Sequence, residues 1–180
     1  MNLEKLFWSK AKTDILKYLV FRRQGISIRA FESELDWSFP AIKKQIDQLD
    51  EAGVIEIKKT NNKRSIYLSK WIDGYIRNFF LYSLTTELQE YFAGNDIRID
   101  KFFLWKLFGI DIEQDLVLIY NPEWLPHLAQ VKEDINMIFR RYLIEMVSLV
   151  VMSRSDFEKR YRLADKFVLN LMKQTRTTDI

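Results

Sequence analysis

The amino-acid sequence predicts an α+β fold in two parts joined by a long helix, and three observations carry that expectation. Residues 1–69 pass from amphipathic helical stretches to two runs in which apolar and polar residues alternate with period two. Residues 70–93 keep apolar and aromatic side chains at helical spacing throughout. The remainder reads strand, strand, helix, strand, helix. The expected division is 1–69, a connecting helix within 70–96, and 97–180, with Gly94, Asn95 and Asp96 as the boundary turn.

In chain order, Ser9 is placed to cap a helix from about Lys10, with Ile15, Leu16, Leu19 and Val20 among its apolar positions. Residues 25–28 suit a short strand, and Ser27 or Ile28 to Leu35 a short helix with Arg29 at its start. Ser38 opens a helix over 38–52: its hydroxyl is expected to cap, and Pro40 falls in the first turn, where a missing N–H is harmless. Ile42, Ile46 and Leu49 keep to one stripe, while Lys43, Lys44, Asp47 and Gln48 point elsewhere. Gly53 supplies the left-handed stop. Ile55 and Ile57 then alternate with Glu56 and Lys58, residues 60–64 form a polar basic turn, and Ile66 and Leu68 resume the alternation. The result is a hairpin with a cationic tip over 58–65.

The connecting helix carries Ile72, Ile76, Phe79, Phe80, Leu84, Leu88, Tyr91 and Phe92, with an interruption expected near residues 83–86. So apolar a connector must be buried, under the second half or against a second copy of the chain. Residues 97–108 are apolar and aromatic, and 116–120 and 146–152 are continuous runs suited to buried strands. A helix over 122–143 is capped by Asn121. A largely helical stretch, 153–173, is capped by Ser153 or Ser155, with Phe157, Tyr161, Leu163, Phe167, Val168 and Leu171 on one stripe.

Composition bounds the chemistry. The 180 residues are 48% hydrophobic and 14% aromatic, enough for one large core or two small ones. Lys plus Arg number 28 against 25 acids, and a net charge of +3 is too small to declare a nucleic-acid binder; only local clustering can. Without cysteine there is no disulfide framework, thiolate zinc site or cysteine nucleophile, which fits a reducing cytosol. No leader pattern or membrane-length apolar run is found, so the expected location is the cytoplasm, with no membrane partner. The single histidine, His127, beside Pro126, suits a surface position better than a metal site or a catalytic relay. No glycine-rich phosphate loop is present and no cofactor is implied. Arg140-Arg141 and the Lys159, Arg160, Arg162 cluster read as solvated helix faces.

The helix, stop, strand, basic turn and strand over 35–68, with the phrase Gln48-Leu49-Asp50-Glu51-Ala52-Gly53-Val54-Ile55, resemble the winged helix-turn-helix of MarR-like and ArsR-like transcription regulators. The resemblance implies a DNA-binding domain with 38–52 as recognition helix and 58–65 as wing. In the major groove, Lys44 and Gln48 are then the base-reading candidates, with Ser38 at the helix start and Lys43 at its margin. The wing residues Lys58, Lys59, Asn61, Asn62, Lys63 and Arg64 reach the phosphate backbone or minor groove, and Arg29 is a further DNA-binding candidate. Double-stranded DNA is the implied partner, and a homodimer reading a palindrome is the expected assembly.

A second resemblance covers residues 97–173. The run Asp115-Leu116-Val117-Leu118-Ile119, then a helix, then the strand leading into Ser153-Arg154-Ser155-Asp156-Phe157, is similar to the minimal nucleotidyltransferase domain. Leu6-Phe7-Trp8-Ser9-Lys10-Ala11-Lys12 likewise resembles the opening of winged-helix proteins that precede such a domain. That chemistry needs a Gly-Ser pair beside a triphosphate and carboxylates holding magnesium. Here Ile110 follows Gly109 where serine is required, the carboxylate pair is reduced to Glu113 and Asp115, and residues 146–152 carry no third carboxylate, Glu145 being nearest. The expectation is a retained fold without catalysis, Glu113 and Asp115 being the weak metal candidates. A nucleotidyltransferase, or toxin–antitoxin component, with a winged targeting domain stays open, as does a pair of protein-interaction modules.

Overall fold

The structure, a computed structural model, describes residues 9–60, 63–95, 99–105, 115–120, 128–145 and 147–175. They form α1 (Lys10–Phe21), α2 (Ile28–Leu35), α3 (Phe39–Glu51), β1 (Ile55–Thr60), β2 (Lys63–Leu68), α4 (Lys70–Gly94), β3 (Ile99–Trp105), β4 (Asp115–Tyr120), α5 (Leu128–Arg140), β5 (Ser148–Ser153), α6 (Arg154–Arg162) and α7 (Lys166–Thr175). This is a helix-rich α+β arrangement. The described residues gather into two compact units: the chain through Thr86 with the segment Arg141–Ile144, and the rest from Glu87 onward. No described helix is long and apolar enough to cross a membrane.

In the first unit, α1 starts where Ser9 turns extended and its Oγ accepts from Lys12 N–H at 3.4 Å. α1 is central, with Ala11, Ile15, Leu16, Tyr18 and Leu19 buried. α2 is held mainly by Phe31, edge-on to Tyr18 with centroids 5.3 Å apart, and Ser27 Oγ caps it from Ala30 N–H at 3.2 Å. The strand expected over 25–28 is a single bridge, Ile26 to Ile66. Gly25, at φ +78°, donates its N–H to Ile66 O at 2.7 Å, and Ser27 is recruited as a cap, so the pairing does not extend beyond Ile26.

α4 runs unbroken from Lys70 to Gly94, without the interruption expected near 83–86. The polar groups there are satisfied without opening the helix. Thr86 Oγ1 donates to Tyr82 O at 2.9 Å, and buried Ser83 Oγ lies 2.8 Å from Tyr142 Oη. Tyr142 is fully buried within the first unit, edge-on to Phe21 at 5.7 Å. Lys17 donates to the Arg141 carbonyl at 2.7 Å and sits 4.8 Å from the Tyr142 ring centroid.

The second unit carries a three-stranded sheet in the order β3-β4-β5, antiparallel then parallel, and α5 provides the crossover that the parallel pair requires. Central β4 is buried on both faces from Leu116 through Ile119. Val117 and Ile119 pack with Met152 and Leu171, flanked by Val150, Phe157, Phe167 and Met172. Three expectations need correction. β5 starts at Ser148 and, as an edge strand, buries only Met152 fully. The stretch 153–173 is two helices, broken where Ala164 adopts φ +53° and Asp165 Oδ1 caps α7 by accepting from Phe167 and Val168 N–H at 2.9 and 3.1 Å. Tyr161 and Leu163 are consequently exposed instead of lining a stripe. α5 ends at Arg140, short of Leu143, whose φ of +62° is not helical. The expected cap Asn121 lies outside the described residues, as does Glu113; Asp115 opens β4.

Candidate nucleic-acid interface

α1, the Ile26 bridge, α2, α3 and the β1–β2 hairpin follow one another in the order expected of a winged helix-turn-helix. Ile42, Ile46 and Leu49 are buried, so α3 is fixed along one stripe and turns Lys43, Lys44, Asp47 and Gln48 outward. Its C-terminus closes as a Schellman turn: Gly53 at φ +68°, Val54 N–H to Leu49 O at 2.9 Å, and Gly53 N–H to Asp50 O at 2.9 Å. Its N-terminus differs from expectation. Ser38 occupies the cap position, but its side chain makes no capping bond. Glu32 Oε1 from α2 accepts the Phe39 N–H at 3.3 Å instead. A carboxylate there also complements the positive end of the helix dipole. Ser38 stays exposed, and Arg29 is exposed on α2.

The hairpin register is set by a two-residue connection and pairs Lys59 with Arg64, Lys58 with Ser65 and Thr60 with Lys63. Residues directly opposite share a face, and neighbours along a strand alternate. The cations expected as one surface are therefore divided: Lys59 and Arg64 lie on the face of Ile55 and Ile57, Lys58 and Lys63 on the other. Asn61 and Asn62 fall outside the described residues. Lys58 is engaged within the hairpin, 4.7 Å from the Tyr67 ring centroid and 3.7 Å from Glu56 Oε2. Lys59, Lys63 and Arg64 are exposed with no acidic partner among the described residues. Lys44 is likewise unpaired there, whereas Lys43 forms an ion pair with Asp47.

Five positioning residues escaped the sequence reading. Glu32 caps α3. Trp71 Nε1 donates to the Gly53 carbonyl at 3.0 Å, tying the end of α3 to the start of α4. Gln24 accepts from Leu68 N–H at 3.0 Å and donates to Asp73 Oδ1 at 3.1 Å. Asp73 in turn takes both oxygens to Arg77 Nε at 2.9 and 3.0 Å. Only the Asp73–Arg77 spacing of four residues was visible as a signal in the sequence. Among the described residues no group of three or more metal-ligating side chains converges.

No family model matches the chain, and no curated protein matches it. Two solved structures are similar to part of it. One is reduced HlyU from Vibrio cholerae N16961, with 21% identity over 41% of this chain and 77% of that one and a TM-score of 0.35. The other is HlyU from the same strain, with 20% identity over 43% of this chain and 83% of that one and a TM-score of 0.37.

Proposed function

We infer that the protein is a DNA-binding transcriptional regulator that sets α3 in the major groove of duplex DNA and the β1–β2 hairpin along the neighbouring minor groove. The observation that carries this reading is the Lys59–Arg64 pair, two exposed cations side by side across one strand pair with no acidic partner among the described residues. Like charges placed so destabilise a sheet, and a polyanion removes that cost. Cations on both faces of a ribbon also suit a groove bounded by two phosphate strands: Lys59 and Arg64 meet one, Lys63 the other. On α3, Lys44 and Gln48 are the base-reading side chains, with Ser38 and Lys43 beside them and Arg29 reaching phosphate. Titration of a labelled random-sequence duplex with the full chain, at low salt and then with added salt, tests this. Binding that weakens steeply is expected; no binding at about 50 mM salt refutes it.

A second copy of the chain is the other partner assigned. Trp71, Tyr75 and Tyr82 are 64%, 75% and 68% exposed and stand at helical spacing along one ridge of α4. Such a ridge is unusual in a monomer, and a two-fold dimer presents two α3 helices to a palindrome. A strict monomer mass at micromolar concentration excludes it. The second unit we assign a non-catalytic role in dimerisation or in binding a ligand or partner. The Gly109-Ile110 pair and the lack of a carboxylate in 146–152 support this. A nucleotidyltransferase is the competing reading, favoured by the strand, helix, strand and Ser153-capped helix order. A melting temperature raised by magnesium and nucleoside triphosphate would favour the enzyme.

A further inference from the structure

Resting on the duplex-binding reading above, we propose that the Lys43–Asp47 ion pair reads one G·C base pair across its major-groove edge, Asp47 accepting from cytosine N4 and Lys43 donating to guanine O6 or N7. Both side chains are about half exposed, at 51% and 55%, on the flank of α3 away from buried Ile42, Ile46 and Leu49. Asp47 follows Lys43 by four residues and Lys44 by three, so the three heads share one patch a single turn high.

A carboxylate in that patch restricts what α3 can approach. It is repelled by phosphate, and the groups on a duplex that reward it are the exocyclic amines of cytosine and adenine. A G·C pair presents two acceptors, N7 and O6, followed by the N4 amine at the end of the edge. The lysine–aspartate pair presents donors followed by an acceptor, so it matches that order by opening onto the base pair. In an A·T pair the amine lies between N7 and O4, and a carboxylate reaching it meets an acceptor on either side. Charge is apportioned to suit. The hairpin strands carry Lys58, Lys59, Lys63 and Arg64 against Glu56, while α3 carries Lys43 and Lys44 against Asp47, Asp50 and Glu51. The hairpin thus supplies attraction to any duplex and α3 rejects the unsuitable ones, a division in which specificity comes from repulsion as much as contact.

The test is selection of bound duplexes from a random pool by the full chain, in parallel with Asp47→Ala and Asp47→Asn. The wild-type chain is expected to enrich a motif with a G·C position discriminated about five- to a hundredfold. Asp47→Ala should lose preference at that position alone while binding unselected duplex more tightly at low salt. Asp47→Asn should shift the position toward A·T, because an amide pairs with adenine N6 and N7. An unchanged motif in Asp47→Ala overturns the proposal. So does wild-type binding without any base preference, which leaves the duplex-binding reading standing. No wild-type binding to any duplex overturns that reading as well.

Discussion

Replacing Lys59 and Arg64 together by alanine will weaken DNA binding while leaving the fold as stable as before, or more so. The two side chains are direct cross-strand neighbours, exposed and without an acidic partner among the described residues. A like-charge pair in that position costs about 0.2–1 kcal/mol, so its removal gains up to that amount, less the poorer strand propensity of alanine. For binding, each cation on a phosphate contributes about 0.9 to the logarithmic salt slope. The four cations assigned to phosphate, Arg29, Lys59, Lys63 and Arg64, give a slope near −3.6, an affinity loss of about 150-fold between 50 and 200 mM salt. With two of them gone the slope is about −1.8 and the loss about twelvefold. Fluorescence anisotropy across that salt range measures the slope, and urea unfolding measures stability. An unchanged slope refutes the placement of the hairpin on phosphate. A stability loss beyond about 1 kcal/mol shows that the pair serves the fold instead.

Tyr142→Phe leaves Ser83 Oγ buried without its 2.8 Å partner and should cost about 1–2 kcal/mol in urea unfolding, whereas Ser83→Ala combined with Tyr142→Phe should cost less than the two single losses added. Gly25→Ala places a methyl 2.8 Å from Tyr67 Oη at φ +78°, so a loss of at least about 1–2 kcal/mol is expected, and a neutral result would mean the hairpin root is not fixed there. Burial first, then the hydrogen bond and charge of Asp134, push the Tyr91 hydroxyl far above its usual value of 10.0, with Oη donating to Asp134 Oδ2 at 2.7 Å. A raised folded pKa stabilises fully below that usual value and less as pH climbs past it. Unfolding measured between about pH 9 and 11 should therefore show a shallower alkaline decline in Tyr91→Phe than in the unaltered chain.

What the sequence disclosed and what it hid divide by distance along the chain. Ser9, Ser27 and Gly53 set helix ends through bonds to residues no more than a few positions away, so α1, α2 and the end of α3 were legible almost to the residue. The hairpin register was also local, because two residues link its strands; from it the alternation that separates Lys58 from Lys59 follows, although composition suggested one basic patch. The start of α3 at Ser38 with Pro40 in its first turn was legible, but its capping bond was not: Ser38 makes none, and Glu32, seven residues earlier, takes the Phe39 N–H. The break before α7 was missed because Tyr161 and Leu163 fit a helical stripe, while the cap signal at Asp165 outweighs them. Tyr142 could not have been placed beside Ser83 and Phe21 at all, since local periodicity carries no trace of a contact that spans most of the chain.

Both elements of the interface end on the same two turns of one helix. The Schellman turn that closes α3 is bonded through Gly53 to Trp71, and β2 is bonded through Leu68 to Gln24 and thence to Asp73, itself clamped by Arg77. Arg77 also donates to the Val20 carbonyl at 3.2 Å, near the end of α1. α3 and the hairpin are thus referred to a common base instead of merely to each other. Their relative angle decides whether both fit a duplex at once, because the grooves are fixed by the nucleic acid. The polar groups at this base are only partly buried, and Asp73 and Arg77 remain 33% and 22% exposed. The task that accounts for Trp71 and the linked Gln24, Asp73 and Arg77 at one place is orientation: they fix the direction of the hairpin relative to α3, while Ile42, Ile46, Leu49 and Ile66 supply the burial that keeps the unit folded.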